Sequence, residues 1–143
     1  VDALIGIQAT VTENDRLAKG IAAQKTMFGD GIDTMRDNAP EDERFIQDAL
    51  SAYCFGDTYT RKALNLADRE LLTWVAIISI GGCDPQARAH VAGNLAVGND
   101  RSSLIGALAV CVPWIGFPRS LNALAAINSQ TNNGDAEHND KEL

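Results

Sequence analysis

Residues 65–82 run Asn65-Leu-Ala-Asp-Arg-Glu-Leu-Leu-Thr-Trp-Val-Ala-Ile-Ile-Ser-Ile-Gly-Gly82, and this stretch decides the fold class. Asn65 is a helix cap, and Asp68, three residues on, resembles the second half of a capping box. After Glu70 the segment is apolar nearly all round, through Leu71, Leu72, Trp74, Val75, Ala76, Ile77, Ile78 and Ile80. A helix of that pattern belongs in the middle of a fold. Gly81-Gly82 stops it. Its length marks it as a core helix, because a membrane span needs roughly 18 apolar residues. No apolar run in the chain is expected to reach that length.

The flanking segments continue in the same manner. Asp84 is expected to cap the next helix, with Pro85 at its first position and Gly98 beyond its end. Asp100 caps a further helix through Leu104, Ile105, Leu108 and Val112, which Pro113 kinks or ends. Gly116-Phe117-Pro118 makes a tight link to a last helix carrying Leu121, Leu124 and Ile127 on one face. On the N-terminal side, Asp57 to Leu66 reads as a capped turn or short helix holding Tyr59 and Arg61. Before it, Pro40 opens a helix with Glu41, Asp42 and Glu43 at its positive end. Its expected apolar face is Ile46, Leu50, Tyr53 and Cys54, and Gly56 closes it. Thr12, with Asp15 three residues on, caps a first helix with Leu17, Ile21 and Phe28 on one face, ended by Gly29 and Gly31. Nowhere does the chain alternate with period two. The fold is therefore expected to be all-α: one compact helical domain over 12–128, an N-terminal extension over 1–11, and a polar tail over 129–143. That tail sets Asp135, Glu137, Asp140 and Glu142 against Lys141, and its His138 has no role assigned.

Composition narrows the function. The 143 residues are 45% hydrophobic and 22% charged, an ordinary globular mixture. Twelve Lys and Arg against nineteen Asp and Glu give a formal charge of −7. Nucleic-acid and anionic-membrane binders need a positive surface, so neither partner is expected. The start, Val1-Asp2-Ala3-Leu4, has neither Met nor a basic signal-peptide region, which reads as a trimmed beginning. The cysteines are Cys54, Cys83 and Cys111, an odd number with no Cys-x-x-Cys. Neither a disulfide framework nor a metal site is expected, and the usage fits a reducing cytoplasm. Cys54 and Cys111 lie in apolar stretches. Cys83 differs, standing at a helix mouth where thiols are often activated.

Chemistry concentrates on the helix after Cys83. Ala87, Val91 and Leu95 form its apolar ridge, and Gln86, His90 and Asn94 form a polar ridge with the same spacing of four. Gly81-Gly82 turns this helix back along the preceding one, which brings Glu70 and His90 to similar depth. An imidazole meeting a carboxylate in apolar surroundings suits general acid–base work. The same spacing also fits a structural, hydrogen-bonded His–Glu pair.

Three stretches resemble the carboxymuconolactone decarboxylase family, which also contains the alkylhydroperoxidase-D type proteins. They are Phe55-Gly-Asp-Thr-Tyr-Thr-Arg-Lys-Ala-Leu-Asn-Leu-Ala-Asp-Arg-Glu-Leu-Leu-Thr73, Ala89-His-Val-Ala-Gly-Asn-Leu-Ala-Val-Gly98 and Gly116-Phe-Pro-Arg-Ser-Leu-Asn-Ala-Leu124, together covering about residues 45–128. The resemblance implies a helical fold of the alkylhydroperoxidase-D-like type, assembled as a homotrimer or homohexamer with active sites near subunit contacts. It places functional roles on Glu70 and His90, with Arg61 a weaker match. The peroxidase branch of the family carries a Cys-x-x-Cys, with its His four residues after the second cysteine. Here Cys83 holds the first position but Gln86 holds the second, so the dithiol cycle of that branch is not expected to run.

The expected function is a cofactor-free lyase acting on a small lactone carboxylate. Arg61 orients a carboxylate, His90 donates or polarises, and Glu70 orients the imidazole. Two alternatives stand beside it: thiol-dependent peroxidase or reductase chemistry at Cys83 assisted by His90, and a helical oligomer without catalysis.

Overall fold

The structure is a computed structural model that describes residues 9–131. Among these residues there are helices and turns and no strand, as the missing alternation requires. The α-helices are α1 (Arg16–Phe28), α2 (Gly31–Asp37), α3 (Arg44–Ala49), α4 (Leu66–Ile80), α5 (Asp84–Ala96) and α6 (Arg101–Thr131). A 3₁₀ turn over Glu41–Glu43 precedes α3, and a π-helical segment over Leu50–Tyr59 follows it. The chain forms two compact units, divided between Arg69 and Glu70. Part of the expected N-terminal extension, and all of the polar tail beyond Thr131 with His138, lies outside the described residues.

In the first unit, α1 begins at Arg16 with Asp15 at its N-cap, three residues later than the expected cap at Thr12. The Asp15 carboxylate accepts from the Thr12 amide at 2.6 Å, and its partner Lys19 holds its pKa down to about 2. The buried faces also differ from those expected. Gly20, Gln24 and Met27 are buried on α1, and Ser51, Ala52, Phe55, Gly56 and Tyr59 on the π-helical segment. Leu17, Ile46, Leu50 and Tyr53 point outward instead. Two glycines explain the reversal. A Cβ on Gly20 would lie 1.8 Å from the Ser51 carbonyl oxygen, and one on Gly56 would lie 2.3 Å from the Arg16 carbonyl oxygen. The backbones touch there, so glycines occupy the crossing and Leu17, Leu50 and Tyr53 are turned away from it. Gly56 accordingly serves a close approach rather than a helix end, and the helix continues to Tyr59. Its i→i+5 winding lines up residues four apart, which stacks Ser51, Phe55 and Tyr59 inward.

Polar groups fasten the same unit. The Arg36 guanidinium donates to Ser51 Oγ at 3.0 Å and to the Asp48 carboxylate, while Ser51 Oγ donates to Gln24 Oε1 at 2.5 Å. The stretch expected to be a capped turn or short helix over Asp57–Leu66 is the end of the π-helical segment followed by a turn. Arg69 fastens that turn by donating to the Arg61, Lys62 and Leu64 carbonyls.

In the second unit the core is Trp74 and Ile78 from α4, Ala87 and Val91 from α5, and Leu104, Leu108, Ala123, Ala126 and Ile127 from α6. The expected caps on α4 and α6 form: the Asp68 amide donates to Asn65 Oδ1 at 2.8 Å, and the Ser103 amide to Asp100 Oδ1 at 2.7 Å. The α5 cap is Cys83 rather than Asp84, one residue earlier than expected. The helix α4 is not buried all round. One face, Glu70, Trp74 and Ile78, is buried, while Leu72 and Ile80 are exposed.

Helix α6 doubles back on itself. Gly116 leaves helical geometry at φ 74° and ψ 167°. The Arg101 guanidinium then reaches Thr131 Oγ1 at 2.6 Å and Asn128 Oδ1 at 2.8 Å. A straight helix would hold those ends about 45 Å apart. The reversal falls at the expected Gly116-Phe117-Pro118 link. By length and composition alone α6 is apolar enough to cross a membrane, which corrects the expectation that no segment is.

Candidate active site

Glu70 opens the buried face of α4 and is 0% exposed. A carboxylate is almost never buried without a partner, because the charged form loses its hydration. The partner is His90 on α5, whose Nδ1 lies 2.6 Å from Glu70 Oε1. Gly81 and Gly82, at φ 74° and 71°, let the chain turn back between the two helices. These are left-handed conformations that suit glycine. The His90 side chain is 14% exposed, so one part of the ring is held inside and another reaches the surface. An ionised Glu70 accepts the Nδ1 proton and thereby fixes the ring's tautomer and orientation.

Asn94 completes the cluster. It is fully buried, and its Nδ2 donates to the Glu70 carbonyl at 3.2 Å and to the His90 carbonyl at 2.7 Å. Asn99 Nδ2 in turn donates to Asn94 Oδ1 at 2.8 Å. One amide thus clasps the backbones of both members of the pair. Its sequence signal was the polar ridge of spacing four, but two of its partners are backbone carbonyls, which no residue pattern reveals. Gln86, the first member of that ridge, is exposed and the last, Asn94, is buried.

The remaining expected residues are placed differently. Cys83, half-buried at the start of α5, lines a narrow pocket with Gly81, Asp84, Ala87, Arg119 and Asn122. Seven residues separate it from His90, about 10 Å along the helix axis. Arg61 belongs to the first unit, in the turn that Arg69 fastens. Among the described residues no group of His, Cys, Asp and Glu has the arrangement of a metal site.

No curated protein matches the chain. The model of the carboxymuconolactone decarboxylase family matches residues 46–129, more than half of the 143. The matched stretch contains Arg61, Glu70, Cys83 and His90, and it coincides closely with the 45–128 covered by the three resembling segments. The chain belongs to the carboxymuconolactone decarboxylase family.

Proposed function

We propose that the protein is a cofactor-free lyase that decarboxylates a small lactone carboxylate by general acid–base catalysis. The observation that carries this reading is the 2.6 Å contact between a fully buried Glu70 and a partly exposed His90. In the reaction the bond to the leaving carboxylate breaks and carbon dioxide departs. The electron pair passes into the conjugated lactone, and charge develops on its carbonyl oxygen. The proton that replaces carbon dioxide comes from Nε2 of a His90 imidazolium; the neutral ring left behind keeps its Nδ1–H donated to Glu70 and takes a new Nε2 proton from solvent. Glu70 keeps the ring aligned throughout.

Assembly into a trimer or hexamer belongs to the same proposal. Trp114, Phe117 and Ile80 are 85%, 72% and 69% exposed, and large exposed apolar side chains mark contact surfaces. Light scattering should give a multiple of the 15.3 kDa chain. A monomer at micromolar concentration would defeat the assembly proposal. For the activity, purified protein is incubated with carboxymuconolactone and carbon dioxide release is followed. Turnover that survives in His90→Ala contradicts the mechanism. The thiol reading draws its support from Cys83 lining a pocket, and a parallel assay with organic hydroperoxide and a thiol donor decides it. Hydroperoxide turnover lost in Cys83→Ser, without lactone turnover, would replace the lyase reading.

A further inference from the structure

Helix α5 ends in a contact of an uncommon kind. The Gly98 amide donates to the Leu95 carbonyl at 3.2 Å and the Asn99 amide to the Asn94 carbonyl at 2.9 Å, with Gly98 at φ 96°. This pair of bonds around a left-handed residue is a Schellman cap, and it folds residue 99 back over residue 94. Apolar side chains frequently meet at those two positions. Here two amides meet, and Asn99 Nδ2 donates to Asn94 Oδ1 at 2.8 Å. A Cβ on Gly98 would find nothing within 4 Å, so glycine is needed there for its backbone angle alone. On the other side of Asn99 the chain is fixed again, because the Asp100 carboxylate caps α6 by accepting from the Ser103 amide at 2.7 Å. Two helix caps thus hold one half-buried side chain in place.

We infer that Asn99 is a positioning residue for the Glu70–His90 pair, acting through Asn94. An asparagine amide has a donor end and an acceptor end, which exchange places when the group rotates by half a turn. Asn94 is fully buried, and Asn99 is the one donor to its oxygen among the described residues. With the oxygen taken, the donor end faces the carbonyls of Glu70 and His90, which come from α4 and α5. Those carbonyls belong to the two residues whose side chains meet at 2.6 Å, so the amide fixes the register of the helices at the level of the imidazole. Without Asn99 the buried oxygen has no partner, which costs its lost hydration in full. Turning that oxygen toward another donor takes Nδ2 off the two carbonyls and frees the helices to slide. The inference rests on the Glu70–His90 pair being the functional centre, but not on the identity of the reaction.

The test reads the His90 ring by nitrogen NMR of the full chain, at a pH well above the titration of a free imidazole. The ring nitrogens give different signals as N–H and as bare N, so the tautomer is read directly. A His90→Ala spectrum separates His90 from His138. The parent should hold the Nδ1–H form. Asn99→Ala should shift the ring to a mixture with the Nε2–H form. Asn99→Asp, equal in size but with no amide hydrogens to donate, should shift it at least as far. A loss of stability alone does not move this signal, since a folded variant with the pair intact keeps the Nδ1 proton. A ring that stays in the Nδ1–H form in both variants overturns the proposal. Should neither variant fold, Gly98→Ala decides, because it keeps both amides and strains only the cap. A shifted ring there supports the proposal, and an unshifted one overturns it. Lactone turnover is a separate measurement. A ring shift in variants of a parent that shows no turnover supports the positioning role and counts against the lyase reading. An unshifted ring beside full turnover does the reverse.

Discussion

The two units put their internal polar groups to different uses. In the first, Arg36, Asp48, Ser51 and Gln24 close a chain of hydrogen bonds that joins α1 and α2 to the segment from α3 through the π helix. Every one of those groups fastens one helix to another. In the second, Glu70 and His90 are joined to each other with Asn94 clasping their backbones, and one edge of the imidazole reaches the surface. A network that only fastens should be repaid in stability when cut. A pair that holds a ring in one tautomer should be repaid in rate.

The largest expected effect sharpens that contrast. His90→Ala should lower lactone turnover by about a thousandfold, within the range for loss of a general acid. Its circular dichroism and unfolding midpoint should stay near those of the parent. Glu70→Gln should lower turnover by a smaller factor, because the ring remains but its tautomer is no longer fixed. A His90→Ala protein that unfolds would break the comparison, since the pair would then be a fastening too.

Gly20→Val addresses the first unit. With 1.8 Å between its first added carbon and the Ser51 oxygen, it should cost about 3 kcal/mol in urea unfolding. Gly106→Ala is the control: nothing lies within 4 Å of the added carbon, so stability should hold or rise. Asn94→Ala falls between the two kinds. Losing its buried hydrogen bonds should cost about 2 kcal/mol, and turnover should drop as well. A stability loss without a rate loss would make Asn94 a fastening alone.

The smallest effect is at the N-terminus of α1. Hydrogen bonding to Lys19 and to Thr12 holds the Asp15 pKa at about 2, below its ordinary 3.8. A carboxylate with a lowered folded-state pKa adds stability above its unfolded-state value and loses it as the pH falls through the folded one. Thermal unfolding of the parent and of Asp15→Asn should therefore differ at pH 5 and converge near pH 2. A constant difference across that range would assign the effect to something other than ionisation.

The sequence made the helical class legible because caps and glycine stops are local signals. Asn65 and Asp100 cap where expected, and the reversal at Gly116 lies in the expected link. The Glu70–His90 pair was legible for the same reason, since a short turn fixes how two helices face each other. The inward faces of the first unit were not. There the deciding contacts are backbone against backbone at Gly20 and Gly56, and hydrophobic periodicity assumes that the largest apolar residues point in. The exposed sides of α4 escaped for a related reason: an apolar run states that a helix avoids water, but not what covers it. The clasp made by Asn94 escaped because its partners include main-chain carbonyls.

The break at Gly116 bears on how α6 could meet a lipid bilayer. Its two arms have about 15 residues each and are about 22 Å long, against a hydrocarbon core about 30 Å thick. At the reversal the last carbonyls of the first arm and the first amides of the second have no helical partner, and Pro118 has no amide hydrogen to offer. Such groups need water or polar side chains, and hydrocarbon supplies neither. A window of residues with the composition of a span is thus folded into a hairpin that cannot bridge the bilayer core. Trp114 and Phe117, on either side of the bend, carry their apolar surface where the unmet backbone groups also require a polar neighbour.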